Sequence, residues 1–66
     1  MEITLNGESR TIPSGLTVAE LVARLELQPK FVAVERNLQV VPQREHSHCR
    51  LGPGDRIEIV TLVGGG

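Results

Sequence analysis

The chain has 66 residues, and its seven basic and eight acidic side chains give a net charge of −1 at neutral pH. A domain of this size buries only about 60% of the surface of its unfolded chain, which leaves little room for an internal catalytic cleft. With no basic block and one aromatic residue, Phe31, the composition argues against nucleic-acid binding. No apolar segment approaches membrane-spanning length, and the one cysteine, Cys49, fits a cytoplasmic protein.

The first twelve residues predict a β-hairpin. Apolar and polar residues alternate over residues 1–5, as they do in a half-buried strand. Asn6-Gly7 follows, and both residues tolerate the positive φ angles of a two-residue hairpin turn. We therefore expect residues 8–12 to form the returning strand, ended by Pro13-Ser14-Gly15.

The next segment predicts one amphipathic helix. Thr17 and Glu20 have the spacing of a capping box, in which each side chain accepts a hydrogen bond from the other residue's backbone N–H. Apolar residues then recur at helical spacing and give the helix one apolar face: Val18, Leu21, Val22 and Leu25. The helix should end near residues 25–27, because Gln28-Pro29 does not continue it.

The remaining sequence predicts three more strands. Residues 31–35 and 38–41 form two short strands around Arg36-Asn37, and a polar connection over residues 43–54 buries one side chain, Leu51. The last strand, residues 56–63, is apolar on both faces, which favours a central position between the first and third strands. One helix must then cover one face of the sheet. The predicted fold is α+β, a ubiquitin-like β-grasp with a mixed sheet of four to five strands.

Three glycines, Gly64, Gly65 and Gly66, follow the apolar residue Val63. Glycine has no side chain to bury, so these residues add nothing to a core. We therefore divide the chain into a domain over residues 1–63 and a flexible tail over residues 64–66. A strip without Cβ atoms can enter a narrow channel and bring the carboxylate of Gly66 into the active site of another protein. A frayed terminus is the alternative.

These motifs, in this order and over the whole length, resemble the ThiS family of sulfur carrier proteins of thiamin biosynthesis. The resemblance is carried by the opening residues 1–7, the helix start at 16–21, and the segments 32–37, 40–42, 54–60 and 63–66. The chain departs from the family pattern after Pro42, where Gln43 precedes Arg44 and His46 stands near a usual aromatic position.

The resemblance implies a protein co-substrate rather than an enzyme. A ThiF-like enzyme would use ATP and magnesium to adenylate the Gly66 carboxylate, and a sulfur donor such as a cysteine desulfurase would convert it to a thiocarboxylate. Gly66 would then pass its sulfur to thiazole synthase (ThiG). The chain itself would bind no cofactor and would be a monomer when free.

Partner contacts are expected at the end of the last strand and along the tail. Val60 and Leu62 are the candidates on the sheet face away from the helix, and Val63, Gly64 and Gly65 are the candidates that lead to Gly66. Local packing of the two strand residues is the alternative. An exposed apolar patch on so small a domain favours a partner surface.

Three other functions remain open at this stage. A related carrier for molybdopterin synthesis or tRNA thiolation would share the fold and the glycine tail. A ubiquitin-like modifier would share the adenylation step and differ in the final nucleophile, a target lysine. In a third hypothesis, the chain is a β-grasp binding module whose tail is incidental.

His46, His48 and Cys49 are the only cluster of metal-ligand residue types in the sequence. A structural zinc site needs four ligands in tetrahedral geometry, and no second cluster completes the set. We therefore expect no metal site, and we interpret these side chains as solvated loop residues.

Overall fold

The computed structural model describes residues 1–62 of the chain. Its strands are β1 (Glu2–Leu5), β2 (Glu8–Thr11), β3 (Val32–Arg36), β4 (Gln39–Val41) and β5 (Arg56–Thr61), and its α-helix is α1 (Val18–Arg24). Two 3₁₀ helices, Pro29–Phe31 and Gln43–Glu45, lie in the connections. No helix among residues 1–62 combines the length and the apolar character that crossing a membrane requires.

The strands form one mixed five-stranded sheet in the order β2-β1-β5-β3-β4 within the described residues. Strand β5 runs parallel to β1, with Leu5 opposite Ile57, and antiparallel to β3, with Val34 opposite Ile59. The prediction that the last strand lies between the first and the third is confirmed. Its two edges pair with β1 and β3, and Ile57 and Ile59 are buried on the face that meets the helix.

The hydrophobic core lies between α1 and the inner face of the sheet. The helix contributes Val18, Leu21 and Val22, and the central strand contributes Ile57, all at most 2% exposed. Burial of side chains of this size is worth about 1.5–3 kcal/mol each, and it holds the short helix on the sheet. The predicted buried residue of the long connection, Leu51, is 4% exposed and joins this core.

The N-terminus of α1 is held by the predicted capping box. The Thr17 N–H donates to Glu20 Oε1 at 2.8 Å, and the Glu20 N–H donates to Thr17 Oγ1 at 3.2 Å. The long connection completes the cap, since the Val18 and Ala19 N–H groups donate to the carbonyls of Cys49 and His46, both at 2.9 Å. These contacts satisfy backbone donors that a helix leaves unpaired in its first turn.

The strand boundaries differ from the predicted ones, by one residue in β1 and β2 and more instructively in β3, β4 and β5. Phe31 lies in a 3₁₀ helix rather than in β3, because Pro29 starts that turn and the Phe31 N–H donates to the Gln28 carbonyl at 2.9 Å. The turn after β3 falls at Asn37 and Leu38, which have φ angles of +51° and +70°, and β4 begins at Gln39. Strand β5 ends at Thr61, before the predicted end at residue 63.

Candidate functional site

The face of the sheet opposite the helix presents Val60 to solvent. Ile57 and Ile59 of β5 point into the core, whereas Val60 is 59% exposed. Val60 lies directly opposite Ala33 of β3, which is also exposed. The structure thus places Val60 on the predicted face, in a small apolar area at the centre of the sheet.

The same face carries two carboxylates one row away from Val60. Glu35 of β3 lies directly opposite Glu58 of β5 in the antiparallel register. Arg56 Nη2 approaches Glu58 Oε2 at 3.5 Å, and the side chains of both residues are largely exposed. Like charges at directly opposed positions destabilise a strand pair. A basic group of a partner protein would relieve this repulsion.

Leu62 stands at the end of β5 and lies at a different place from the predicted one. The strand ends at Thr61, so the alternation that would put Leu62 beside Val60 does not continue. The Leu62 N–H donates to the Phe31 carbonyl at 2.6 Å, and the side chain, 49% exposed, lines a groove with Leu27 and Phe31. Val63, Gly64, Gly65 and Gly66 lie outside the described residues.

Two turn asparagines fix the position of β5, a role beyond the turn positions that their sequence context predicts. Asn6 Nδ2 donates to the Ile59 carbonyl at 3.3 Å, and Asn6 Oδ1 accepts the Ile59 N–H at 2.8 Å. Asn37 Oδ1 accepts the Arg56 N–H at 2.9 Å. Asparagine offers a donor and an acceptor on one short side chain, which explains its use at both turns beside this strand.

Asp55 precedes β5 and connects three segments. Its Oδ2 accepts the Gly52 N–H at 2.7 Å and the Arg36 Nε–H at 2.9 Å, and its Oδ1 accepts from Asn37 Nδ2 at 3.1 Å. Burial opposes ionisation of the carboxyl, but the hydrogen bonds from Gly52, Asn37 and Arg36 outweigh it and hold the pKa of Asp55 below its usual value. The Asp55 carboxylate thus binds the backbone of its own turn and forms an ion pair with Arg36.

His46 corrects the interpretation of the long connection as solvated. The side chain is 4% exposed, and its Nε2–H donates a hydrogen bond to the Val41 carbonyl at 3.0 Å. Cys49 is half-buried against the core, whereas His48 is exposed as expected. The pattern gave no signal for His46, because a histidine between polar residues has the same sequence appearance whether solvated or buried.

These residues do not meet at a metal-binding geometry. Across residues 1–62, no three His, Cys, Asp or Glu side chains come together in an arrangement that could hold a metal ion. The features assembled around the end of β5 are instead a partly apolar sheet face, an acidic row and a groove. This arrangement suits contact with another protein.

Comparison with protein families matches residues 3–66 to the ThiS family. The chain belongs to the ThiS family. The match includes the glycine tail as well as the folded domain, and the resemblance stated from the sequence is confirmed.

Solved structures of the family share the fold. The crystal structure of the thiamine biosynthesis protein ThiS from Geobacter metallireducens superposes with a TM-score of 0.86 at 32% sequence identity, and the match covers the whole of both chains. This similarity confirms the predicted β-grasp.

The curated relatives of this ThiS-family chain include proteins of two lengths. The sulfur carrier protein ThiS of Bacillus subtilis is 40% identical over 50 residues, 76% of each chain. A thiazole synthase of Paramagnetospirillum magneticum is 39% identical over all 66 residues, and one of Magnetococcus marinus is 41% identical. The chain spans about a fifth of the length of these two synthases, 20% in each case.

Proposed function

We propose that this chain is a cytoplasmic sulfur carrier of thiamin biosynthesis, with a thiocarboxylate at Gly66 as the active form. The observation that carries the proposal is the match to the ThiS family over residues 3–66, which reaches the last glycine. The Bacillus subtilis relative, named a sulfur carrier protein, supports the same function.

The chemistry follows from the properties of a terminal carboxylate. The group is an anion at neutral pH and a poor electrophile, because attack would add negative charge and expel oxide. A ThiF-like enzyme with ATP and magnesium would join the carboxylate to AMP with release of pyrophosphate. A persulfide sulfur from a donor such as a cysteine desulfurase would displace AMP, and a thiol would cleave the S–S bond, reducing it and leaving the thiocarboxylate.

In this proposal, the chain is a co-substrate and the partner enzymes supply the catalytic groups. Gly64 and Gly65 would enter the partner's channel because they carry no side chains, and Val63 would guide the tail from the domain. Val60 and the acidic row of Glu35 and Glu58 would contact the adenylating enzyme. Exposed apolar surface bordered by charge is typical of a specific protein interface.

Thiazole synthase is the proposed acceptor of the sulfur. Two relatives named thiazole synthase contain a region similar to the whole of this chain. A carrier joined to its acceptor in one polypeptide delivers its cargo at a high effective concentration. The same two components could meet as separate chains, with docking surfaces in place of the covalent link.

Reconstituted thiazole formation tests the proposal. The reaction would contain the adenylating enzyme, a persulfide donor, thiazole synthase and its substrates, with the full chain or the chain lacking Gly65-Gly66. We expect product only with the full chain and an unchanged melting temperature for the truncated form, since the two glycines have no side chains. Equal product from the truncated chain would overturn the proposal. Adducts linked through Gly66 to lysines, with no thiazole formed, would favour the ubiquitin-like modifier.

A further inference from the structure

A groove of about 320 Å³ opens beside the end of β5, between that strand and the segment that follows α1. It is lined by Glu26, Leu27, Gln28, Phe31, Thr61 and Leu62. Phe31 and Leu62 are 42% and 49% exposed, so the groove keeps two large apolar side chains in contact with solvent. Its volume is near the lower limit of about 300 Å³ for ligand pockets, a size that suits a protein side chain better than a cofactor.

Lys30 Nζ lies 5.6 Å from the centre of the Phe31 ring at the groove wall. The charged residue that lines the groove itself is Glu26, which has a strained backbone conformation. Its φ angle is +59°, a conformation that favours glycine. The Glu26 N–H donates to the Ala23 carbonyl at 3.0 Å and the Leu27 N–H donates to the Val22 carbonyl at 3.2 Å, the pattern of a helix end that usually carries glycine. Glutamate is less stable than glycine in this backbone conformation. Over residues 1–62, its carboxylate forms no ion pair that would offset this cost.

We propose that this groove receives an apolar side chain of thiazole synthase, with a lysine or arginine beside it in the synthase sequence. Leu27, Phe31 and Leu62 would enclose the apolar side chain, and the Glu26 carboxylate would pair with the basic one. The inference rests on the proposed function and names the surface by which the acceptor holds the carrier.

Three observations support this occupant. The groove is apolar with a carboxylate at its edge, which complements an apolar side chain next to a cation. Its wall includes Leu62, the residue that precedes the tail segment, so a protein held there has Gly66 within reach along the chain. Relatives named thiazole synthase carry a region similar to this whole chain, which favours a contact surface between the two units.

The test measures the affinity of purified thiazole synthase for the full chain and its variants by titration calorimetry at fixed salt. Phe31→Ala removes the exposed aromatic wall, and Glu26→Lys reverses the charge. We expect each change to weaken binding roughly tenfold, as for an interface residue that contributes strongly. The matched controls, Leu38→Ala and Glu8→Lys, alter an exposed leucine and an exposed glutamate outside the groove, and their dissociation constants should stay within about twofold of the parent's.

Glu26→Gly separates binding from folding. Glycine relieves the left-handed strain, so the melting temperature should rise. The same variant lacks the carboxylate, so its affinity for thiazole synthase should fall. A purely structural glutamate would give the rise in melting temperature with unchanged affinity, and that result would overturn the proposal.

A second assay distinguishes failure of the groove from failure of the sulfur-carrier function. Thiocarboxylate formation by the adenylating enzyme is measured for the same variants, and we expect parental rates. If the parent accepts sulfur and all three groove variants bind thiazole synthase normally, the groove proposal is wrong and the carrier function stands. Variants impaired only in thiocarboxylate formation would assign the groove to the adenylating enzyme and likewise overturn it. A parent that accepts no sulfur would reject the proposed function.

Discussion

At the scale of single residues, Asp55 accepts three hydrogen bonds, more than any other side chain over residues 1–62. Its side chain is 11% exposed and joins Gly52, Arg36 and Asn37 around the start of β5. Removing it leaves the Gly52 N–H without its acceptor and Arg36 without its anion. A buried donor that loses its acceptor costs about 1–3 kcal/mol.

Asp55→Asn should therefore be less stable than the parent at neutral pH and should respond less to acid. Because the pKa of Asp55 is lower in the folded than in the unfolded chain, its ionisation stabilises the fold above the unfolded value of about 3.9. That stability is lost as the pH falls from there through the lower folded pKa. Urea unfolding between neutral pH and the acid range measures the effect. If the free energy of unfolding depended on pH identically in the variant and the parent, the assigned role of Asp55 would be wrong.

The opposed carboxylates of Glu35 and Glu58 predict a substitution that stabilises the fold, in contrast to the change at Asp55. Glu35→Gln removes one of two like charges that face each other across β3 and β5. We expect the free energy of unfolding to rise by about 0.2–1 kcal/mol at low salt, and the gain to shrink as salt screens the pair. Glu45→Gln, an exposed glutamate outside the sheet, is the control. A loss of stability specific to Glu35→Gln would show that the pair is not repulsive.

At the scale of the elements, the cap of α1 decides whether a seven-residue helix persists. A helix this short is unstable alone, so it depends on packing and on satisfied terminal N–H groups. Thr17→Ala deletes the hydroxyl that accepts the Glu20 N–H and should lower the free energy of unfolding by about 1 kcal/mol. Thr17→Ser keeps the hydroxyl and should stay near the parent in thermal unfolding. Equal losses in both variants would exclude the cap as the cause.

The elements also show how far the sequence predicts the fold. Alternation predicted β1 and β5, and the helical period with Thr17 and Glu20 predicted α1, because each signal is local and periodic. The 3₁₀ helix at Gln43–Glu45 and the burial of His46 left no such signal. They depend on contacts between the long connection and the helix terminus, which are distant in sequence. The groove was not predicted for the same reason, since its walls come from two segments that are distant in sequence.

At the scale of the whole molecule, the sheet order makes β5, the last strand of the described residues, the central strand. Its neighbours β1 and β3 hold β5 on both sides, so the residues leading to the tail start from a fixed point. A rigid attachment lowers the entropy cost of presenting a segment to a partner. The sequence predicted this central position and the exposure of Val60, while the tail residues themselves stay a prediction.

Val60→Lys tests the whole sheet face as the surface for the adenylating enzyme. The side chain is 59% exposed, so the change should affect the free energy of unfolding by less than about 1 kcal/mol. The added charge should weaken binding of the adenylating enzyme roughly tenfold in a direct titration. Thr11→Lys places the same charge on edge strand β2 and should leave affinity unchanged. Normal affinity of Val60→Lys would remove this face from the proposed interface.

The central claim is that Gly66 accepts sulfur, and intact mass spectrometry tests it most directly. The purified chain is incubated with ATP, magnesium, a persulfide donor and an adenylating enzyme that is active on another carrier. We expect a mass gain equal to replacement of one oxygen by one sulfur, located by fragmentation on the peptide that contains Gly66. An unchanged mass under conditions in which the other carrier gains sulfur would contradict the claim.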